Sequence, residues 1–334
     1  MENSSQTWWR RLSSSDEQQE AWPKGRSSHA VAVVDDKLYV YGGEDVPRRA
    51  FDGKMHCFDL ANSAWIDLET QGEVPEPRLA HSCVAVDQVL YIFGGRKTDK
   101  TELDELLTFD TRTNTWSKLA STSRTPAPRS YHCSVALGKD VYVFGGCGQS
   151  GRMNDLWRFD TANNVWEEVT LAPSSAPAPS PRGGPALCAA GNKIYLFGGF
   201  NGKELQDLYC FTPETKEWRA VELQGDVPAP RSVLGCCGLG RDGGGHTTHM
   251  FVFGGEAAPS AKGHEGAGLY FNDAFVMDVS TEQWHKVETE VESAPSARGW
   301  IASHPTRDGR SVVLFGGYDG EARLNDLCIL SNIL

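Results

Sequence analysis

The chain has 334 residues, 40% of them hydrophobic, with 35 glycines and a formal net charge of −12. That charge excludes a nucleic-acid backbone or an anionic membrane surface as the main partner, and no apolar run approaches the roughly 20 residues that span a bilayer. The N-terminal MENSSQTWWRRLSSSDEQQE lacks the apolar centre of a secretory signal, and the nine cysteines are odd in number with no CxxC pair. A reducing compartment is therefore expected, cytoplasmic with nuclear access.

The first predicted element is a strand at TWWRRL (7–12), which belongs to no repeat of its own. Six copies of one pattern then run to the C-terminus. Each has a turn with an arginine, a short strand, an apolar strand ending in Gly-Gly, and a third strand. The arginines are Arg26, Arg78, Arg129, Arg182, Arg231 and Arg298. The Gly-Gly strands read LYVYGG, LYIFGG, VYVFGG, IYLFGG, MFVFGG and VVLFGG, and in the first four copies arginine and first glycine are 16 apart. A tryptophan closes each of the first five copies: Trp65, Trp116, Trp166, Trp218 and Trp284. The sixth copy stops at LNDLCILSNIL without one, so the spare strand at the front, with Trp8 or Trp9, is expected to complete it.

A period near 50 with these marks identifies a Kelch β-propeller. The expected fold is all-β and six-bladed, closed by the N-terminal strand, with residues about 6–11 completing the last blade. Because blades cannot bury their faces alone, residues 1–334 are read as one domain.

Arginines and the loops after Gly-Gly are expected on one rim of the disc. Two readings of the arginines stand side by side. Each guanidinium ties its own turn to backbone carbonyls, or several face the channel mouth and form a positive well for an oxyanion. Arg96, directly after Gly94–Gly95, would add a further cation. Tyr131, Phe200 and Trp300 are the aromatic companions expected at the mouth, where small ligands bind in such folds.

Three segments depart from the repeat: the proline-rich LAPSSAPAPSP (171–181), LGRDGGGHTTH (239–249), and EAAPSAKGHEGAGLYFN (256–272) after the fifth Gly-Gly. The second opens on the far rim, where His246 and His249 read as solvent loop residues.

GRSSHA (25–30), FGGCGQSGRMNDLW (144–157), the RGGP turn (182–185), PAPRSV (228–233) and GGEAAPSAKGHEGAG (254–268) together resemble the plant specifier proteins. These are the nitrile-, epithionitrile- and thiocyanate-forming Kelch proteins of glucosinolate breakdown. The resemblance implies a lyase-type reaction on a thiohydroximate-O-sulfate, giving a nitrile, with Arg26 and Arg96 holding the sulfate; Arg129 of the arginine rim is read as catalytic beside them. Arg182, Arg231 and Arg298 would complete the substrate site. It also implies Fe²⁺ on an E-x3-D-x3-H loop, with Glu256 and His264 at the outer positions. The middle position here is Ser260, a neutral hydroxyl in place of a carboxylate. The partner is thus expected to be a small anionic metabolite. The alternative is a Kelch interaction module that offers its rim to a protein partner.

Overall fold

The computed structural model describes residues 7–12, 22–120, 124–259, 267–289 and 294–334. Six sheets, antiparallel except where Gln224–Gly225 pairs parallel at the edge of the fifth, form the blades of a propeller, and their innermost strands are Ala30–Val34, Ser82–Val86, Cys133–Leu137, Ala186–Ala190, Gly235–Leu239 and Ala302–Pro305. The Gly-Gly strand comes next in each blade, then a third strand and an outer strand carrying the tryptophan. In blade six the outer strand comes from the front of the chain. Trp8–Leu12 pairs with Leu327–Ser331 in the register Trp8↔Ser331 to Leu12↔Leu327. The expected closure is there, over residues 8–12 in place of about 6–11.

Aromatic packing joins the blades and settles which tryptophan closes the ring. The residue before each Gly-Gly meets the tryptophan of the next blade: Tyr41–Trp116, Phe93–Trp166, Phe144–Trp218, Phe197–Trp284 and Phe315–Trp65, with centroids 4.9–5.7 Å apart. Trp9 completes the series against Phe253 at 5.2 Å. It is 5% exposed, whereas Trp8 is 42% exposed. Alternation along a strand puts one side chain in the interblade core and its neighbour in solvent.

The Gly-Gly pair is required by the approach of the next blade. Gly42 sits at φ 64°, and a Cβ there would lie 2.5 Å from the Arg78 carbonyl oxygen of the following turn. The amide of Gly43 donates to that same carbonyl at 2.9 Å. No other residue type satisfies both the left-handed backbone and the contact.

A second set of bonds encircles the axis. In every blade the residue two after the arginine donates its amide to the equivalent carbonyl of a neighbouring blade, at 2.7–3.0 Å. The members are Ser28, Ala80, Tyr131, Gly184, Val233 and Trp300, and all six have positive φ. Val233 (φ 48°) and Trp300 (φ 49°) are held there against the preference of bulky side chains.

Candidate functional site at the channel mouth

The six repeat arginines are at most 1% exposed. Each Nη1 donates to the carbonyl of the first glycine of its own blade, at 2.9–3.2 Å. Each Nε reaches back to the carbonyl two residues earlier. The fork is filled by a carboxylate from its own blade: Asp52, Glu105, Asp155, Asp207, Asp273 or Asp326 in turn, at 2.5–3.1 Å. The oxyanion well expected of Arg26, Arg129, Arg182, Arg231 and Arg298 is therefore corrected. Their charge is neutralised and their donors are spent inside the blade, so they build the turn.

Arg96 is different. It comes directly after its Gly-Gly pair and bridges backbone to backbone with Leu79 and Glu102. Its guanidinium lies over the Tyr131 ring at 5.7 Å. Among the described residues it makes no ion pair within 4 Å, though Glu102 lies near enough for its carboxyl to feel the charge, and its Nε is buried without a hydrogen-bond partner. The equivalent positions in the other blades are Glu44, Cys147, Phe200, Glu256 and Tyr318, each bridged to the residue after its blade's arginine. These six side chains form the rim of the mouth.

Two more cations stand on this rim that the sequence analysis did not single out. Arg152 lies over the Phe200 ring at 4.7 Å. Arg323 lies over Tyr318 at 5.0 Å and pairs with Glu44 at 2.9 Å. The signal was available: both residues sit just past a Gly-Gly, outside the repeated arginine slot. Trp300, Tyr270 and Tyr318 form an aromatic cluster, with centroids 5.9–6.3 Å apart. Tyr131, Phe200 and Trp300 are thus at the mouth as expected.

Below the rim the channel narrows to a cavity of about 120 Å³. His29, His81 and His132 line one side, and Pro185, Leu234 and Ile301 occupy the equivalent places opposite. Burial pushes His29 and His132 down to about 3, and His81 well below the ordinary imidazole value. They are neutral wedges between blades, and His29 packs edge-on to Phe315 at 5.4 Å.

Of the side chains implied for Fe²⁺, Ser260 and His264 lie outside the described residues. Glu256 starts the hairpin Glu256–Pro259/Ala267–Tyr270 that stands on the rim. Its Oε2 is buried without a partner, and burial, with the nearby Glu204 adding to it, pushes the carboxyl up to about 8. Among the described residues no three His, Cys, Asp or Glu side chains converge as a metal would need. Ser260 puts a neutral hydroxyl where the resemblance implies a carboxylate, a poorer donor for a ferrous ion, which takes carboxylate and imidazole donors.

Comparison with known proteins agrees with the repeat. Residues 28–255 match the family model described as the KLHDC2/KLHL20/DRC7 Kelch-repeats domain. A Thlaspi arvense protein named N-(sulfonatooxy)prop-2-enimidothioate sulfolyase is 31% identical over 320 residues, covering 88% of each chain. Human Kelch domain-containing protein 3 is 27% identical over 77% of this chain and 69% of its own length. The solved structure of YjhT superposes with a TM-score of 0.69 at 16% identity, covering 92% of this chain and 95% of that one. This last likeness concerns the fold.

Proposed function

This chain belongs to the Kelch-repeat β-propeller family, and on that premise we propose that its channel mouth binds a small organic oxyanion of the sulfate-ester kind. One observation carries the reading. Among the described residues the Arg96 guanidinium makes no ion pair within 4 Å, while every repeat arginine is locked into a carboxylate. A guanidinium held over an aromatic ring, with Glu102 near it but outside ion-pair distance, keeps donors for charge-assisted bonds to sulfate oxygens. Arg152 adds positive potential, and the Tyr270–Trp300–Tyr318 cluster offers a face for the ligand's body. The sulfolyase name of the Thlaspi arvense relative supports the sulfate class. For such a substrate Arg96 would hold the sulfate and stabilise the charge that grows on it as it departs.

Calorimetric titration of phenyl sulfate into the wild type and Arg96→Gln tests this. Loss of a charge-assisted bond should weaken binding roughly ten- to a hundredfold. Equal heats from the two proteins would remove Arg96 from the site.

A second reading, a protein partner on the same rim, is favoured by Leu269. It is 49% exposed on the standing hairpin, next to Tyr270. The reading predicts that Leu269→Ser leaves phenyl sulfate binding intact and abolishes capture of the partner.

A further inference from the structure

The innermost strands of blades four and five, Ala186–Ala190 and Gly235–Leu239, lie side by side. Side chains alternate along each, so the sixth residue after a repeat arginine faces the next blade and the fifth faces the previous one. At this junction the two positions are Cys188 and Cys236, packed in one buried cluster with Met250 and Trp284. The other five junctions hold at most one cysteine each at these places, as in Ala32 with Cys83 or Val135 with Leu187. Cys236 Sγ lies 3.8 Å from the carbonyl oxygen of Leu187, the residue before Cys188, and the two thiols hydrogen-bond to each other. Cys188 is 1% exposed, whereas Cys236 keeps partial exposure, which on an innermost strand comes from the channel.

We propose that Cys188 and Cys236 are a modification site, a dithiol that a peroxide converts to a disulfide joining blades four and five. The peroxide reaches Cys236 from the channel. Its O–O bond breaks, one oxygen stays on Cys236 Sγ as the sulfenic acid, and the other leaves as water. Cys188 Sγ then attacks the sulfenic sulfur, the S–S bond forms, the S–O bond breaks, and the hydroxyl leaves as a second water with the Cys188 proton. The two thiols lose two electrons and the peroxide gains them. The product is neutral and apolar, so the cluster that opposes a thiolate accepts it. The hydrogen bond with Cys188, together with burial, holds the Cys236 thiol well above the ordinary thiol range, so the first step is slow and the dithiol persists where peroxide is scarce. The bridge would lie below the rim residues Phe200 and Glu256, which pair with Gly183 and Ser232 in the turns leading into these two strands.

The test treats the full chain with hydrogen peroxide, blocks remaining thiols with an alkylating agent, and maps the peptides by mass spectrometry without reduction. The expected product is a cross-linked pair carrying Cys188 and Cys236, lighter than the two peptides by the hydrogens lost. The melting temperature should rise by about 5 °C, since the bridge closes a long loop of the unfolded chain, and a reductant should reverse both changes. Cys236→Ser should abolish the cross-link and the shift, and Cys133→Ser, at a neighbouring thiol, should keep them. The wild-type map decides by itself if a variant does not fold. A bridge from Cys236 to Cys133 or Cys237, sulfinic acid at Cys236 without a bridge, or recovery of Cys188 and Cys236 as free thiols at a dose that oxidises the partly exposed Cys147 would each overturn the proposal.

Discussion

Arg11 of the first strand and Arg298 of the last blade share one carboxylate. Asp326 lies 2.7 Å from Arg11 Nη2 and accepts from Arg298 Nη1 and Nη2 at 2.6 and 3.0 Å. The N-terminal strand is thereby tied to the polar anchor of blade six as well as to its backbone ladder. Without it, the Leu327–Ser331 strand would present an open edge, and Phe253 would lose its aromatic partner.

Trp9→Ala should cost about 3–5 kcal/mol in urea denaturation, the range for a large buried aromatic. Trp8→Ala, at an exposed position, should stay within about 0.5 kcal/mol. Removing residues 1–12 should lower the melting temperature by roughly 6–15 °C. A truncated chain that melts with the intact one would show that the ring closes without this strand.

The two classes of arginine separate in stability as well as in binding. Arg182→Met removes one partner of the pair with Asp207 and leaves the carbonyl of Gly198 without its donor. It should destabilise by about 1–3 kcal/mol, because the Gly198 carbonyl is left without a donor while Asp207, 37% exposed, keeps water. Arg96→Met breaks no ion pair and should change stability by less than about 1 kcal/mol. The reverse order in a denaturation series would invert their assigned roles.

Acid should unfold this protein early, and the sign is set by the channel histidines. Their imidazoles are held neutral when folded, at about 3 for His29 and His132. In the unfolded chain they titrate near 6.5, so below that pH the unfolded state binds more protons. Stability is complete above the unfolded value and falls as pH drops from about 6.5 towards 3, by up to about 1.4 kcal/mol per pH unit for each histidine. His29→Leu places there the residue that Leu234 already supplies in blade five. It should shift the acid midpoint to lower pH and reduce its slope, and an unchanged midpoint would mean that His29 protonates without unfolding.

Replacing Gly42 by Ala would combine a φ of 64° with a Cβ 2.5 Å from the Arg78 carbonyl oxygen. The cost should exceed about 1–3 kcal/mol, and Gly138→Ala is the control. Gly138 also has positive φ (61°), but a Cβ there meets nothing within 4 Å. Similar losses at the two sites would assign the effect to backbone strain alone.

The fold was legible because repetition is a property of the sequence itself. The Gly-Gly pairs, tryptophans and arginines recur for one physical reason, which is that each blade meets its neighbour in the same way. That same repetition misleads about the site. A residue present in every blade answers a need of every blade, and the arginines answer the need of a turn. Their partners, Asp155, Asp207 and Asp273 among them, were visible in the chain, but pairing across 25 to 42 residues has no local signature. Arg96, Arg152 and Arg323 break the repeat and stand at the mouth, where Arg323 is paired with Glu44 and, among the described residues, Arg96 and Arg152 make no ion pair within 4 Å. The position of Glu256 after the fifth Gly-Gly was legible, but the burial that pushes its carboxyl up to about 8 is not displayed by the chain order.

The ring of amides around the axis has an electrical consequence. Its six bonds run head to tail around the circle, so their dipoles lie along the circumference and cancel in sum. Unlike a helix end, this backbone lends the channel no sign of its own. The ring also demands a conformation, not a residue type. Serine, alanine, tyrosine, glycine, valine and tryptophan each fill one of its six places. What the mouth attracts is therefore written entirely in side chains, and it can be rewritten one position at a time while the wheel beneath stays the same.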